Sequence, residues 1–251
     1  MFAIMRLTLL SALLTVATAF AQLPAPNAMG VAAGHHIFIV KDLDVATKFW
    51  NALGAGEGVL GTLKLVKFPG VLFLVRAGNS AGGTEGSSVD YLGFKVKDLK
   101  GSLAKLDALG YKPMKGANSK QAFIMGPDAV KVHLVEDRKL ATSIAADEVR
   151  IVAPKGAAQW YAKYFGGPDI PGAHLTFTES AAPMAGTQGR ALDRLGFEVM
   201  DLAATVERLK DSGAKMNGNI ATAKAMPLSV SILTDPWGTY IELSQGLAAA
   251  K

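Results

Sequence analysis

The chain has no cysteine among its 251 residues, and this absence excludes several classes of protein. It excludes a disulfide-bonded scaffold, a zinc site with thiolate ligands and a cysteine nucleophile. The chain also has little excess charge of one sign. Its 26 Lys and Arg residues and 21 Asp and Glu residues give a net charge of only +5. No basic run is interleaved with aromatic residues, so nucleic acid is not expected as a partner.

The motifs of nucleotide-dependent proteins are missing as well. No Gly-x-Gly-x-x-Gly segment is placed at a strand-to-helix turn, and no phosphate loop occurs, so no nucleotide cofactor is expected. What the chain does have is apolar residues, which make up 50% of it. That content is typical of a folded chain rather than a disordered one, and the length suits one large domain or two small ones.

The N-terminus has the pattern of a secretory signal peptide. Arg6 is followed by an apolar stretch from Leu7 to Phe20, which is short for a membrane span. Small residues flank Phe20, and this predicts cleavage after Ala21, with residues 1–21 as the signal peptide. No cysteine follows that would carry a lipid. We therefore expect a secreted or periplasmic protein without a stable membrane anchor after cleavage.

Four segments of the chain repeat one pattern, in which a short apolar run is followed by a helix start and, twelve residues later, by glycine. The apolar runs end at Val40, Val96, Val152 and Val199. The helix starts are Asp42, Asp98, Pro154 and Asp201, and the glycines are Gly54, Gly110, Gly166 and Gly213. Asp is a favoured N-cap, Pro suits a first helical turn and Gly ends a helix, so each segment predicts a strand followed by a helix.

Hairpins are predicted after three of these helices, where paired apolar runs flank turn residues such as Pro69-Gly70 and Asp235-Pro236. The repeating unit is therefore a βαβββ module. Four tandem modules predict an α+β fold, with the helices covering the outer face of mostly antiparallel sheets and leaving the other face concave.

Two motifs add a resemblance to this pattern. One is the segment His35–Leu43 in the first module, and the other is Asp235–Leu243 in the last. With the fourfold repeat, these segments resemble the vicinal oxygen chelate superfamily, which includes glyoxalases, extradiol dioxygenases, fosfomycin- and bleomycin-resistance proteins and methylmalonyl-CoA epimerase. The resemblance implies cup-shaped sheets built from paired modules. It also implies two glyoxalase-like domains, at residues 32–137 and 145–246.

In this superfamily the metal ligands lie on the concave face, where a His comes from the first strand of a module and a Glu from the last. The resemblance places His35 at the first position and Glu242 at the second. Alternation supports Glu242, because Ile241 and Leu243 take the opposite face of the strand. His36 follows His35 directly and should point to the other face.

The remaining ligand positions depart from the family pattern. The first strands of modules two and four carry Tyr91 and Arg194, which are interpreted as catalytic residues that orient or polarise a substrate. His133 and His174 are the next candidate metal ligands. On the first strand of module three the candidate is Asp147 or Glu148, and alternation favours Glu148.

The pairing of modules stays open in the sequence. If module one pairs with two and three with four, the candidates separate into two groups: His35, Tyr91 and His133 in one cup, and Glu148, His174, Arg194 and Glu242 in the other.

If module one pairs with four instead, His35 meets Glu242 beside Arg194. Modules two and three would then bring His133 to His174 and Glu148, a plausible set of two histidines and one carboxylate. Neither pairing supplies the full set of ligands that the superfamily uses.

Two functions of different classes follow. The first is a secreted protein of the superfamily that acts on a small oxygen-bearing organic molecule as a lyase, isomerase or oxygenase, with Fe, Mn, Ni or Zn as a possible divalent metal. The alternative is a metal-free protein of the same fold that binds and sequesters a small molecule. The missing ligands favour the alternative, and two histidines converging with a carboxylate would favour the enzyme.

The signal peptide makes a prediction about the exported chain. We expect the mature protein to begin at Gln22, because Ala21 completes the cleavage site. Mass spectrometry of the intact protein secreted by an expressing bacterium measures this directly. A chain that retains residues 1–21 after export would contradict the prediction.

Overall fold

A computed structural model of the protein describes residues 23–224 and 226–247, so the predicted signal peptide at 1–21 lies outside the described residues. Within that range the chain forms four α-helices, which are α1 (Leu43–Leu53), α2 (Leu99–Ala108), α3 (Ala157–Phe165) and α4 (Leu202–Leu209). No helix in the described range has the length and apolar character needed to cross a membrane.

The strands fall into four groups, one for each predicted module. The first module has β1 (Val31–Val40), β2 (Gly56–Leu60), β3 (Leu63–Phe68) and β4 (Val71–Ala77). The second has β5 (Val89–Val96), β6 (Pro113–Lys115), β7 (Gln121–Met125) and β8 (Lys131–Glu136). The third has β9 (Ile144–Ala153), β10 (Asp169–Ile170) and β11 (Ala173–Glu179). The fourth has β12 (Leu192–Val199), β13 (Lys215–Met216), β14 (Ala221–Thr222), β15 (Ser229–Thr234) and β16 (Tyr240–Gln245).

The helix ends follow the predicted signals in most modules. The side chain of Asp42 accepts hydrogen bonds from the backbone N–H groups of Asp44 and Val45, and Gly54 ends α1 with φ at 106°. Asp98 and Asp201 cap α2 and α4 in the same way. These bonds satisfy N–H groups that have no partner within the helix.

The start of α3 was predicted wrongly. Pro154 does not lie in its first turn, since the helix begins at Ala157 after Gly156, which has φ at 105° and gives no side-chain cap. The chain needs one more turn between β9 and the helix here, and glycine adopts the left-handed conformation that this turn requires.

The described strands form two mixed sheets, and each sheet is built from two modules. The first sheet has the order β13-β15-β16-β12-β1-β4-β3-β2, with β14 beside β15, and thus joins modules one and four. The second has the order β10-β11-β9-β5-β8-β7-β6 and joins modules two and three. At the centre of each sheet the first strands of its two modules pair antiparallel, β1 with β12 and β5 with β9.

This pairing selects one of the two arrangements that the sequence leaves open, module one with four and two with three. The α+β fold with cup-like sheets is confirmed, although the third module has one strand fewer after its helix than the βαβββ pattern among the described residues. Residues 32–137 and 145–246 each supply one module to each sheet. Their division into two domains stays a prediction.

The helices pack on the face of the sheets opposite to the cups. Trp50 of α1 is buried against Phe68 and Phe73, whose ring centroids lie 5.9 and 5.0 Å from its own. Phe73 alternates along β4 with residues that face the cup. Phe94 of the second sheet lies 4.8 Å from Phe68, so the helix-bearing faces of both sheets share one core.

A buried hydrogen bond fixes the turn between β15 and β16 to this core. The hydroxyl group of Tyr161, on α3, donates to the Asp235 carboxylate at 2.7 Å. The same carboxylate accepts from the backbone N–H groups of Trp237 and Thr239. Burial raises the pKa of both Tyr161 and Asp235. The turn is therefore held where β16 enters the first sheet.

We expect Tyr161→Phe to destabilise the protein by about 1–3 kcal/mol, because the buried Asp235 carboxylate loses its hydroxyl donor. Urea unfolding followed by circular dichroism measures the loss. Tyr164→Phe on the same helix is the matched control, since no hydrogen bond of the Tyr164 hydroxyl group is found among the described residues. Equal effects of the two substitutions would contradict the role assigned to the hydrogen bond.

Candidate functional site

The first cup is the face of the first sheet opposite to the helices, and three strands bring a histidine, a glutamate and an arginine together on it. His35 on β1 lies with its Nε2 3.0 Å from Oε1 of Glu242 on β16. Arg194 on β12 donates to the other carboxylate oxygen, and its guanidinium group lies 4.9 Å from the ring centroid of Tyr240. His35 is only 1% exposed.

Burial would raise the pKa of the Glu242 carboxyl group, but the hydrogen bonds and charges of His35 and Arg194 outweigh it and lower the pKa. Glu242 is therefore an anion held between two cationic or donating groups.

The walls of the first cup are aliphatic. Ile37, which shares the face of β1 with His35, belongs to a cluster of buried leucines on neighbouring strands and at both ends of the described chain. The buried members of this cluster are Leu23, Ile37, Leu65, Leu72, Leu74 and Leu247.

The second cup is the corresponding face of the second sheet, and Glu148 on β9 is its centre. His133 on β8 lies with Nδ1 3.3 Å from Oε2 of Glu148. The Tyr91 hydroxyl group on β5 donates to Oε1 at 3.1 Å, and Thr176 on β11 donates to the same oxygen. Arg150 forms an ion pair with Oε1 at 3.0 Å. The carboxylate thus has four neighbours that stabilise its charge.

These contacts determine the charge of the second cup. Burial acts to raise the pKa of Glu148, but hydrogen bonds from His133 and Thr176 and the charge of Arg150 lower it to about 2. Burial and the nearby Glu148 charge raise the pKa of Tyr91 to about 12. At neutral pH, Glu148 is ionised and Tyr91 keeps its proton, which it donates to the carboxylate in a hydrogen bond.

Each cup contains one histidine and one glutamate, but the two residue types change places between a module's first strand and a module's last strand. In the first cup the His lies on a module's first strand and the Glu on a module's last strand. In the second cup Glu148 lies on the first strand of module three and His133 on the last strand of module two. An arginine completes each group. Each sheet therefore supports one His–Glu–Arg cluster.

Two glycines make the space for these side chains. A Cβ atom on Gly196 would lie 2.1 Å from the His35 carbonyl oxygen and 2.7 Å from its ring. A Cβ atom on Gly93 would lie 2.6 Å from Cβ of Glu148. Real Cβ contacts are longer than this, so both positions on the central strands require glycine.

The structure separates the remaining predicted residues from these clusters. His36 points to the helix-bearing face, where its ring stacks on Phe73 at 5.6 Å, and burial with the neighbouring His35 lowers its pKa to about 3. His174 bonds to Asp169 and its side chain is 48% exposed, so it does not join His133 and Glu148.

The favoured register at the start of module three agrees with the structure. Glu148 faces the second cup, whereas Asp147 bonds to Lys95 at 2.7 Å. Sequence reasoning missed Arg150 and Thr176 as neighbours of Glu148. Arg150 could have been found, because it lies two residues from Glu148 and so shares its face.

The two glycines carried a signal that was also overlooked. Each glycine is the fourth residue of an Asp-x-Leu-Gly-Phe segment. These segments are residues 90–94 on β5 and residues 193–197 on β12, which are central strands of different sheets.

A further overlooked pattern is the Gly-x-Ser-x-Gly spacing at residues 78–82. The chain continues from it as a loop and not as a helix, so Ser80 is not at the strand-to-helix turn of a nucleophile elbow.

No protein-family model and no curated protein sequence matches the chain. Solved structures do match. Glyoxalase I from Zea mays has a TM-score of 0.68 and 15% identity, over 87% of this chain and 94% of that one. A Bacillus subtilis protein inferred to be a dioxygenase has a TM-score of 0.60 and 10% identity, over 90% and 86% of the two chains. The cppA protein of Streptococcus pneumoniae has a TM-score of 0.53 and 11% identity, over 84% and 96%.

The chain has the vicinal oxygen chelate fold. At these identities the likeness concerns the fold, and it confirms the architecture that the repeats and the two motifs predict.

The cups do not fit the divalent metal that the resemblance implies. Catalytic zinc takes three protein ligands and structural zinc takes four, whereas the described part of the chain gathers no group of three His, Asp or Glu residues that could hold a metal. In the first cup, the residues beside His35 and Glu242 are Arg194 and Leu72, and neither side chain can bind a metal ion. In each cup a guanidinium group already neutralises the carboxylate.

We expect Gly196→Ala to destabilise the protein by about 1–3 kcal/mol, because the new methyl group meets the backbone and the ring of His35. Gly58→Ala is the control, since the methyl group there meets only the end of the Lys67 side chain, which can move away. Urea unfolding of both variants tests this. A Gly196→Ala variant as stable as Gly58→Ala would contradict the tight packing around His35.

Proposed function

We propose that the protein is a metal-independent small-molecule-binding protein with the vicinal oxygen chelate fold. The observation that carries the proposal is the arginine in each cup. Arg194 pairs with Glu242, and Arg150 pairs with Glu148. These carboxylates are the groups on which a metal site would depend.

Electrostatics supports this proposal. A divalent cation that approached either carboxylate would meet a guanidinium charge that never leaves by deprotonation. It would also have to compete with hydrogen bonds, since Glu148 accepts from Tyr91 and Thr176 as well as from His133. Each cup offers one imidazole and one carboxylate, which is fewer ligands than catalytic zinc takes.

The second cup is the better place for the ligand. Its charged side chains are partly accessible, with 28% of the Arg150 side chain and 19% of the Lys131 side chain exposed. In the first cup, by contrast, the aliphatic wall is packed against Leu23 and Leu247 from the ends of the described chain. Partly accessible polar groups beside aromatic walls are typical of ligand sites.

A metal-dependent lyase, isomerase or oxygenase is the second candidate. It is favoured by His35 and Glu242, which occupy the positions that the resemblance assigns to ligands and lie 3.0 Å apart. For this function a metal ion would have to displace Arg194 from the carboxylate.

We further propose that the protein works outside the cytoplasm, where a signal peptide at residues 1–21 would send it. This location supports binding of a molecule that the cell meets at its surface.

Elemental mass spectrometry of the mature protein tests the proposed function. We expect far less than one divalent metal ion per chain, and no rise in melting temperature when Mn²⁺, Fe²⁺, Ni²⁺ or Zn²⁺ is added. The reason is that a bound metal would stabilise the folded state by mass action and no cup holds enough ligands for one.

Two variants make this experiment specific. If the protein held a metal in the first cup, His35→Ala and Glu242→Ala would both lose it. Near-stoichiometric metal in the wild type that disappears in both variants would overturn the proposal and establish the metal-dependent candidate. Metal-free wild-type protein, with metal-insensitive melting in both variants, supports the proposal.

A further inference from the structure

The second cup has one buried polar atom for which the described residues supply no hydrogen-bond partner. His133 is 8% exposed, and among the described residues its Nε2 has no hydrogen-bond partner. The other ring nitrogen, Nδ1, faces Glu148, whose carboxylate also accepts hydrogen bonds from Tyr91 and Thr176. An unsatisfied buried polar atom costs free energy, so a molecule that satisfies Nε2 would bind with a gain.

The position of Glu148 determines what that molecule must offer. Because an ionised carboxylate only accepts hydrogen bonds, the proton of a neutral His133 ring lies on Nδ1, which faces Oε2 of Glu148 at 3.3 Å. Nε2 then carries a lone pair and accepts. The molecule that completes the site must therefore bring an O–H or N–H donor.

The walls next to His133 are aromatic. The Phe123 ring stacks on the imidazole with centroids 4.5 Å apart and planes at 18°. The Tyr91 ring lies edge-on to the imidazole at 5.3 Å. Flat rings on neighbouring strands suit a flat ligand, because such surfaces pack with offset-stacked or edge-to-face contacts.

The charged side chains of the second cup already pair with one another. Arg150 pairs with Glu148, and Lys131 pairs with Glu85 at 3.0 Å and Asp90 at 3.3 Å. A charged ligand would have to break one of these pairs, whereas a neutral ligand leaves them intact.

We propose that the second cup binds a neutral, planar organic molecule whose hydroxyl or N–H group donates a hydrogen bond to Nε2 of His133. This inference rests on the proposed function, since it names the kind of ligand and the atom that recognises it. The planar part of the ligand lies beside Phe123 and Tyr91.

The experiment uses phenol and anisole, which share a ring and differ in the hydroxyl donor. Isothermal titration calorimetry on the wild-type mature protein should give an affinity for phenol about tenfold higher than for anisole, because one buried hydrogen bond separates the two. Equal affinities for the two molecules, or no binding of either, would overturn the inference.

A spectroscopic readout shows which atom responds. In protein labelled with ¹⁵N-histidine, the free His133 ring should show a protonated Nδ1 and an unprotonated Nε2. Phenol should shift the Nε2 resonance and anisole should not. This measurement needs no variant, so it tests the inference even if a substitution at His133 prevents folding.

Three variants complete the test. His133→Phe removes the acceptor and should abolish the preference for phenol, whereas His133→Gln keeps an acceptor oxygen and should retain part of it. His174→Gln is the control and should bind phenol like the wild type, because His174 is exposed and bonded to Asp169. A preference that survives in His133→Phe would overturn the inference.

The result also separates the two proposals. Phenol binding that requires an added divalent metal would overturn the proposed function. Metal-independent binding without a preference for the hydroxyl group would overturn only the role of His133.

Discussion

The structure depends on keeping two buried carboxylates ionised. The side chains of Glu242 and Glu148 are only 10% and 11% exposed, and a charge so placed needs partners that offset its lost hydration. Each is stabilised by a histidine and an arginine, and Glu148 also by Tyr91 and Thr176. The groups that make burial of these carboxylates possible are the same groups that compete with a metal. Stability and metal binding thus make opposite demands on each cup.

The histidine lies on a first strand in one cup and on a last strand in the other, and the construction of the sheets accounts for this difference. In each sheet two first strands pair at the centre, and a last strand lies beside each of them. His35 and Glu148 occupy first strands, and Glu242 and His133 occupy last strands. In each cup the imidazole and the carboxylate meet across one central strand, which carries Gly196 in the first sheet and Gly93 in the second. The sheet geometry therefore preserves the pair while the two residues change places.

Local signals made much of the fold predictable. Asp42, Asp98 and Gly54 determine helix ends through backbone hydrogen bonds within a few residues, so their roles follow from spacing alone. Alternation along a strand likewise favoured Glu148 over Asp147 for the cup.

Long-range features were not predictable in this way. The pairing of β1 with β12 and not with β5 depends on how whole sheets pack, and no short pattern records it. His35 was expected beside Glu242 in only one of the two arrangements, and the ligand roles of His35, Glu242, His133 and His174 stay predictions. Two strands lie between the strand of His174 and that of His133, and His174 bonds to Asp169; the spacing between modules shows neither feature.

The pairing of modules has a consequence for the order in which the chain assembles. The second sheet uses one continuous stretch, from Val89 on β5 to Glu179 on β11, and the chain between its central strands is shorter than that between β1 and β12. The first sheet joins Val31 to Val199, so β1 has no central partner until the fourth module has been made. Closing so long a loop is slow compared with local pairing. Whether the chain emerges from a ribosome or from an export channel, the second sheet can therefore be completed before the first, because the opening strand keeps an exposed edge until β12 follows.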